Sequence, residues 1–154
     1  FRKLAEEAVD LIGPMLGNRS GAWTAAACLP GGDLFGGSPS NRGVVEFGRW
    51  LEGVRRRYPW LPQPLATRYA RAYGSRVEKL LAGARALGDL GEHLGGGLYE
   101  AELEYLRRHE WAVTAEDILY RRSKLALHLP ASSEARLDAW LSSHPPAESA
   151  TAVM

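Results

Sequence analysis

The sequence predicts an all-α fold: a helical bundle of about five helices, preceded by one extra helix and a long Gly/Pro-rich connector. Apolar residues recur at steps of three and four over most of the chain after Asn41, which places them on one helical face. The runs are interrupted at Gly and Pro, residues that end helices. No apolar–polar alternation of useful length, the mark of a half-buried strand, follows Val45.

Leu4, Ala8 and Ile12, with Val9 beside them, make "KLAEEAVDLI" an amphipathic helix that Pro14 and Gly17 close. From Asn18 to Asn41 the composition turns to Gly, Pro, Ser and Asn, which predicts a connector, with "AWTAAACL" a candidate extended piece. Val44, Phe47, Leu51, Val54 and Tyr58 form the next helical stripe, ended at Pro59. Leu65, Tyr69 and Tyr73 mark a helix that stops at Gly74. Ser75 and Glu78 are spaced as a capping box opening a third, with Val77, Leu80, Leu81 and Ala84 inside and Gly88 as its end. A fourth helix is expected over about 98–110 and a fifth over 114–127, opened by Thr114 with Asp117 answering from the third position. A sixth, capped at Ser132 or Ser133, buries Leu137, Trp140 and Leu141. Residues 145–154 read as a disordered tail.

A chain of 154 residues that is 45% apolar and 24% charged is globular in class and large enough for one sizeable core. Its formal net charge of +1 supplies no field that would draw it to nucleic acid. Cys28 is the only cysteine, so no intrachain disulfide and no C-x-x-C motif exist. The chain starts at Phe1, already inside a helical pattern, as a piece of a longer protein would.

Several features invite a chemical role and fit a structural one better. Arg55, Arg56 and Arg57 fall late in a helix, where cations complement the helix C-terminus. Gly88, Gly91 and Gly95 lack the G-x-G-x-x-G spacing and a preceding strand, and so read as a connection between helices. His93, His109, His128 and His144 share no metal-ligand spacing, so no metal site is expected. No serine sits in a G-x-S-x-G elbow. A helix-turn-helix over 114–127 carries Arg121, Arg122 and Lys124, but its flanks are rich in Glu.

Two helices carry charge where the helical wheel points inward. At about 100° per residue, Glu102 and His109 fall inside the apolar arc of Leu98, Ala101, Leu103, Tyr105 and Leu106. Arg122 falls in the middle of the face formed by Ala115, Ile118, Leu119, Leu125 and Ala126. A lone buried charge is costly, so Glu102 and Arg122 are expected to pair across the helix interface as a structural ion pair, with His109 an added partner. The alternative is that Arg122 receives an anionic ligand.

"FRKLAEEAVDLI", "LPGGD", "RRRYPWLPQPLATRYARAYG", "RYARAYGSRVEKLL" and "DLGEHLGGGLYEAELEYLRRHEWAVTAEDILYRRSKLAL" occur in this order along the chain. Together they resemble the C-terminal helical domain of FAD-dependent, quinone-linked glycerol-3-phosphate dehydrogenases. The resemblance covers all but the tail. It implies a parent enzyme that oxidises sn-glycerol 3-phosphate to dihydroxyacetone phosphate, with FAD taking the hydride and membrane quinone the electrons. On this resemblance residues 1–17 are the terminal helix of the flavin-binding domain, 18–43 the connector and 44–144 the C-terminal helical domain. The family's catalytic and cofactor-binding residues lie upstream, so none is expected among these residues, and no cofactor is expected on this piece alone. The expected partner is the flavin-binding domain of the same parent, with a second copy at the first helix as another occupant. The expected location is cytoplasmic, the parent lying against the inner face of the cell membrane. An autonomous helical interaction module is the competing reading.

Overall fold

A computed structural model of the chain describes residues 1–130 and 132–145. Apart from Pro145, the expected tail over 145–154 lies outside them. The chain forms two compact units, one of residues 1–57 and 66–77, the other of residues 58–65 and 78 onward.

In the first unit, α1 (Arg2–Ile12) runs into a 3-10 turn, Gly13–Leu16, as Pro14 removes a helical donor. The expected extended piece coils instead into a 3-10 turn at Thr24–Ala26, packed against α1. A short α2 (Arg42–Val45) leads into α3 (Phe47–Arg57), which buries Leu51 and Val54 and ends on Arg55, Arg56 and Arg57. Arg55 bonds Glu52 through Nη1 at 2.6 Å and donates from Nη2 to the Thr67 hydroxyl on α4 (Gln63–Tyr73) at 3.1 Å. The α4 residues Ala66, Tyr69, Ala70 and Tyr73 are buried.

The connector is pinned where α4 ends. Gly74 is left-handed (φ +55°), and the Ser75 amide donates to the Gly31 carbonyl at 3.0 Å. The Ser75 hydroxyl, expected to cap a helix, donates to Asp33 instead. The third predicted helix is accordingly one turn, α5 (Val77–Leu80), and left-handed Gly83 follows it. Leu87–Leu90 form a separate 3-10 turn, held by Asp89 accepting from the Arg85 and Ala86 amides. Those two bonds hold the Asp89 carboxyl below its ordinary range.

In the second unit the glycine-rich break is a small antiparallel hairpin, β1 (His93–Gly95) and β2 (Leu98–Tyr99). Gly95, Gly96 and Gly97 all have positive φ, which side chains resist. The His93 and Tyr99 rings stack at 4.7 Å. α6 (Glu100–Glu110) follows, burying Glu102, Leu103, Tyr105 and Leu106. The fifth predicted helix is a π-helix, Asp117–Arg122, followed by a 3-10 turn, Leu125–Leu127. Helix α7 (Ser132–Ser143) packs against β1, and Arg136 bonds Glu92 at 2.5 Å. Trp140 is buried, with the His144 ring stacked on it at 4.4 Å. The fold is thus mostly helical, as predicted, with the hairpin as the departure.

Candidate functional site

The structure does not bring Glu102, His109 and Arg122 together. Glu102 is 0% exposed, as the wheel predicted, and it interacts with other groups. Arg122 is exposed and donates from Nε to the Glu110 carbonyl at 2.7 Å. His109 is exposed, its ring 5.1 Å from that of Tyr105. The expected Glu102–Arg122 pair is therefore corrected. The reason lies in the backbone: a π-turn takes in one more residue than an α-turn. Ile118 and Leu119 keep their places in the core, but three residues later the phase has slipped and Arg122 faces water.

What opens the π-helix was legible. The Asp117 amide donates to the Thr114 hydroxyl at 3.1 Å, while Asp117 Oδ2 accepts from the Thr114 and Val113 amides, both at 3.0 Å. Arg121 reaches back to Asp117 Oδ1 at 2.5 Å and Glu116 Oε1 at 2.7 Å. The two amides, with Arg121 after them, hold the Asp117 carboxyl far below its ordinary value. The Ser123 amide and hydroxyl both donate to the Ile118 carbonyl, at 2.9 and 2.6 Å, and close the wide turn. These groups are occupied in holding backbone.

A recess lies along α1. A groove of about 290 Å³ is lined by Ala5, Val9, Trp23 and Thr24, with Arg2 and Glu6 among its polar residues. Glu6 accepts from the Thr24 hydroxyl and from Arg2, and those contacts, Thr24 first, lower its pKa. Helix α1 buries none of its residues, and its apolar side chains stand in solvent, Leu4 at 67% and Leu11 at 77% exposure. An open stripe of this kind on an amphipathic helix marks a surface meant to be covered.

A family model described as the C-terminal domain of alpha-glycerophosphate oxidase matches residues 22–142. The chain belongs to this family. It is 48% identical over 146 residues to the glycerol-3-phosphate dehydrogenase of Pseudomonas aeruginosa. It is 42% identical over 141 residues to the aerobic glycerol-3-phosphate dehydrogenase of Escherichia coli, and 40% identical over 140 to the D-erythritol 1-phosphate dehydrogenase of Brucella abortus. These alignments take in 95%, 92% and 91% of the chain but only 27%, 26% and 26% of the relatives. The chain spans about a quarter of the length of the curated relatives it matches.

The match to the alpha-glycerophosphate oxidase C-terminal domain begins at residue 22, so the exposed helix α1 precedes it. The glycine turn at residues 95–97 does not fit a dinucleotide. A dinucleotide site needs glycines whose missing side chains leave a cradle between a strand and a helix N-terminus. Here the glycine turn is filled: a Cβ on Gly96 would lie 2.5 Å from Leu129 Cδ2. No flavin chemistry is therefore assigned to that turn.

Proposed function

We propose that the chain is the C-terminal domain of an FAD-dependent, quinone-linked glycerol-3-phosphate dehydrogenase and carries none of the reacting groups itself. The parent oxidises sn-glycerol 3-phosphate to dihydroxyacetone phosphate, and its electrons leave for membrane quinone. The observation that carries this reading is 48% identity over 95% of the chain, confined to 27% of a glycerol-3-phosphate dehydrogenase. The chemistry of such an enzyme is the cofactor's, and the glycine turn at residues 95–97 makes no cradle for it.

In this reading residues 1–17 close the flavin-binding domain, 18–43 connect, and 44–144 form the helical domain. The flavin-binding domain covers the apolar face of α1; without it, a second copy of the chain covers the same face. The parent lies against the inner face of the cell membrane. The Brucella relative is named for D-erythritol 1-phosphate, so the substrate class is a polyol phosphate, with glycerol 3-phosphate favoured by the other two relatives.

The test is to purify the full-length chain and the 154-residue chain side by side. The full-length chain is expected to show flavin absorption bands and to reduce a quinone analogue with glycerol 3-phosphate faster than with D-erythritol 1-phosphate. The shorter chain is expected to do neither. A full-length chain without flavin overturns the proposal.

A further inference from the structure

The corner that follows α6 presents a bulky residue in a conformation that costs energy. Trp111 caps the helix in the left-handed region, φ +52°, and is 84% exposed. Glycine is the usual occupant of such a position, and a side chain there strains the backbone. The Ala112 amide on the Leu106 carbonyl, 3.2 Å, fixes the turn. The tryptophan gains little burial in return, so its presence asks for a partner. Val113 and Tyr120 stand exposed in the same segment.

Charge at this corner is uneven. Glu104 is bonded by Arg107 and Arg108, while Glu116 and Asp117 are bonded by Arg121. Arg122 and Lys124 bond backbone carbonyls instead, those of Glu110 and Tyr120, both at 2.7 Å. Both residues are exposed, and the bond to the Glu110 carbonyl holds Arg122 at the residue before Trp111, with the Glu110 carboxylate the one acid of the stretch outside those pairs. Trp, Tyr and Arg are the residues that dominate protein interfaces. A lipid surface suits the corner less well. Each Lys or Arg near a membrane contributes only weakly, and stable anchoring takes more than one weak signal.

We propose that the Trp111–Lys124 corner is a docking surface for an acidic, apolar-pocketed face of the flavin-binding domain in the same parent chain, an inference that rests on the reading above. Most of each relative's length lies outside the match. A covalently joined partner is present at high effective concentration, so a small corner suffices to hold it. Trp111 fills the pocket, and Arg122 and Lys124 meet carboxylates at its rim.

Hydroxyl-radical footprinting of the full-length flavoprotein tests this. Trp111 is expected to be oxidised about tenfold more slowly than in the same protein unfolded in urea, as a buried interface anchor is. Arg122→Glu with Lys124→Glu is expected to remove that protection while Arg122→Lys keeps it. Trp111 oxidised as fast in the native chain as in the unfolded one overturns the docking, and flavin bands in that sample show that the proposed function survives. Protection that arises only on adding phosphatidylglycerol vesicles also overturns it, in favour of a membrane contact. A sample without flavin overturns both.

Discussion

Gly74→Ala tests the clamp that holds the connector to the end of α4. Gly74 sits at φ +55°, where a Cβ costs roughly 1–2 kcal/mol. That Cβ would also fall on the Gly31 carbonyl oxygen, backbone that cannot swing aside as a side chain could. Gly31 is itself tight, since a Cβ there would lie 2.5 Å from the Tyr73 carbonyl oxygen. The loop must therefore withdraw and lose the 3.0 Å bond from the Ser75 amide, worth about 1 kcal/mol. The sum is roughly 2–3 kcal/mol, or roughly 4–12 °C in Tm for a chain of this length. Gly17→Ala is the control. Gly17 has φ +73° with nothing near its Cβ position, so only the backbone strain applies. Thermal and urea unfolding of both variants separates strain from clash. Equal losses for the two would refute the idea that Gly31 and Gly74 interlock.

Glu102→Leu should destabilise the chain by ~1–3 kcal/mol, because it removes a fully buried interacting carboxylate. Arg122→Leu should cost far less, and the double variant should equal the sum within ~0.5 kcal/mol; coupling beyond that in urea unfolding would restore the cross-helix pair. Asp117→Asn should flatten the acid limb of the stability curve. The Asp117 pKa is lowered in the folded chain, so its stabilisation is full above the ordinary carboxylate range and is lost as pH falls toward the depressed value. Unfolding followed from neutral to acid pH checks this, and an unchanged acid limb would count against it. Gly96→Val should disrupt the hairpin by striking Leu129 in addition to the strain of φ +55°, seen as lost amide protection at residues 93–99; retained protection would contradict the filled-turn account.

Local signals fared well wherever short-range chemistry was decisive. The apolar stripes of α4 and α6 are largely buried where the period put them, because a 3.6-residue repeat leaves only one face to hide, whereas in the stripe begun at Val44 only Leu51 and Val54 are buried and Val44 itself is 83% exposed. Thr114 and Asp117 bond the amides that their spacing implied, since a cap is closed within four residues. The order of several motifs along the chain was enough to indicate the family, which the match over residues 22–142 then showed.

Tertiary structure decided what periodicity cannot encode. Nothing in "DILYRR" distinguishes an α-turn from a π-turn by composition, and one extra residue per turn moved Arg122 from the predicted core to solvent. Ser75 had the spacing of a helix cap, but the Asp33 carboxylate, far away in sequence, took its hydroxyl. The glycine run is a hairpin because Leu129, more than thirty residues on, fills the space its missing side chains leave. Sequence by itself determined the helical class, the buried stripes and the family, because these depend on neighbours within a turn or on motif order. Which way Arg122 faces, what Ser75 binds and how the glycines fold depend on groups distant along the chain, and only packing brings those groups within reach.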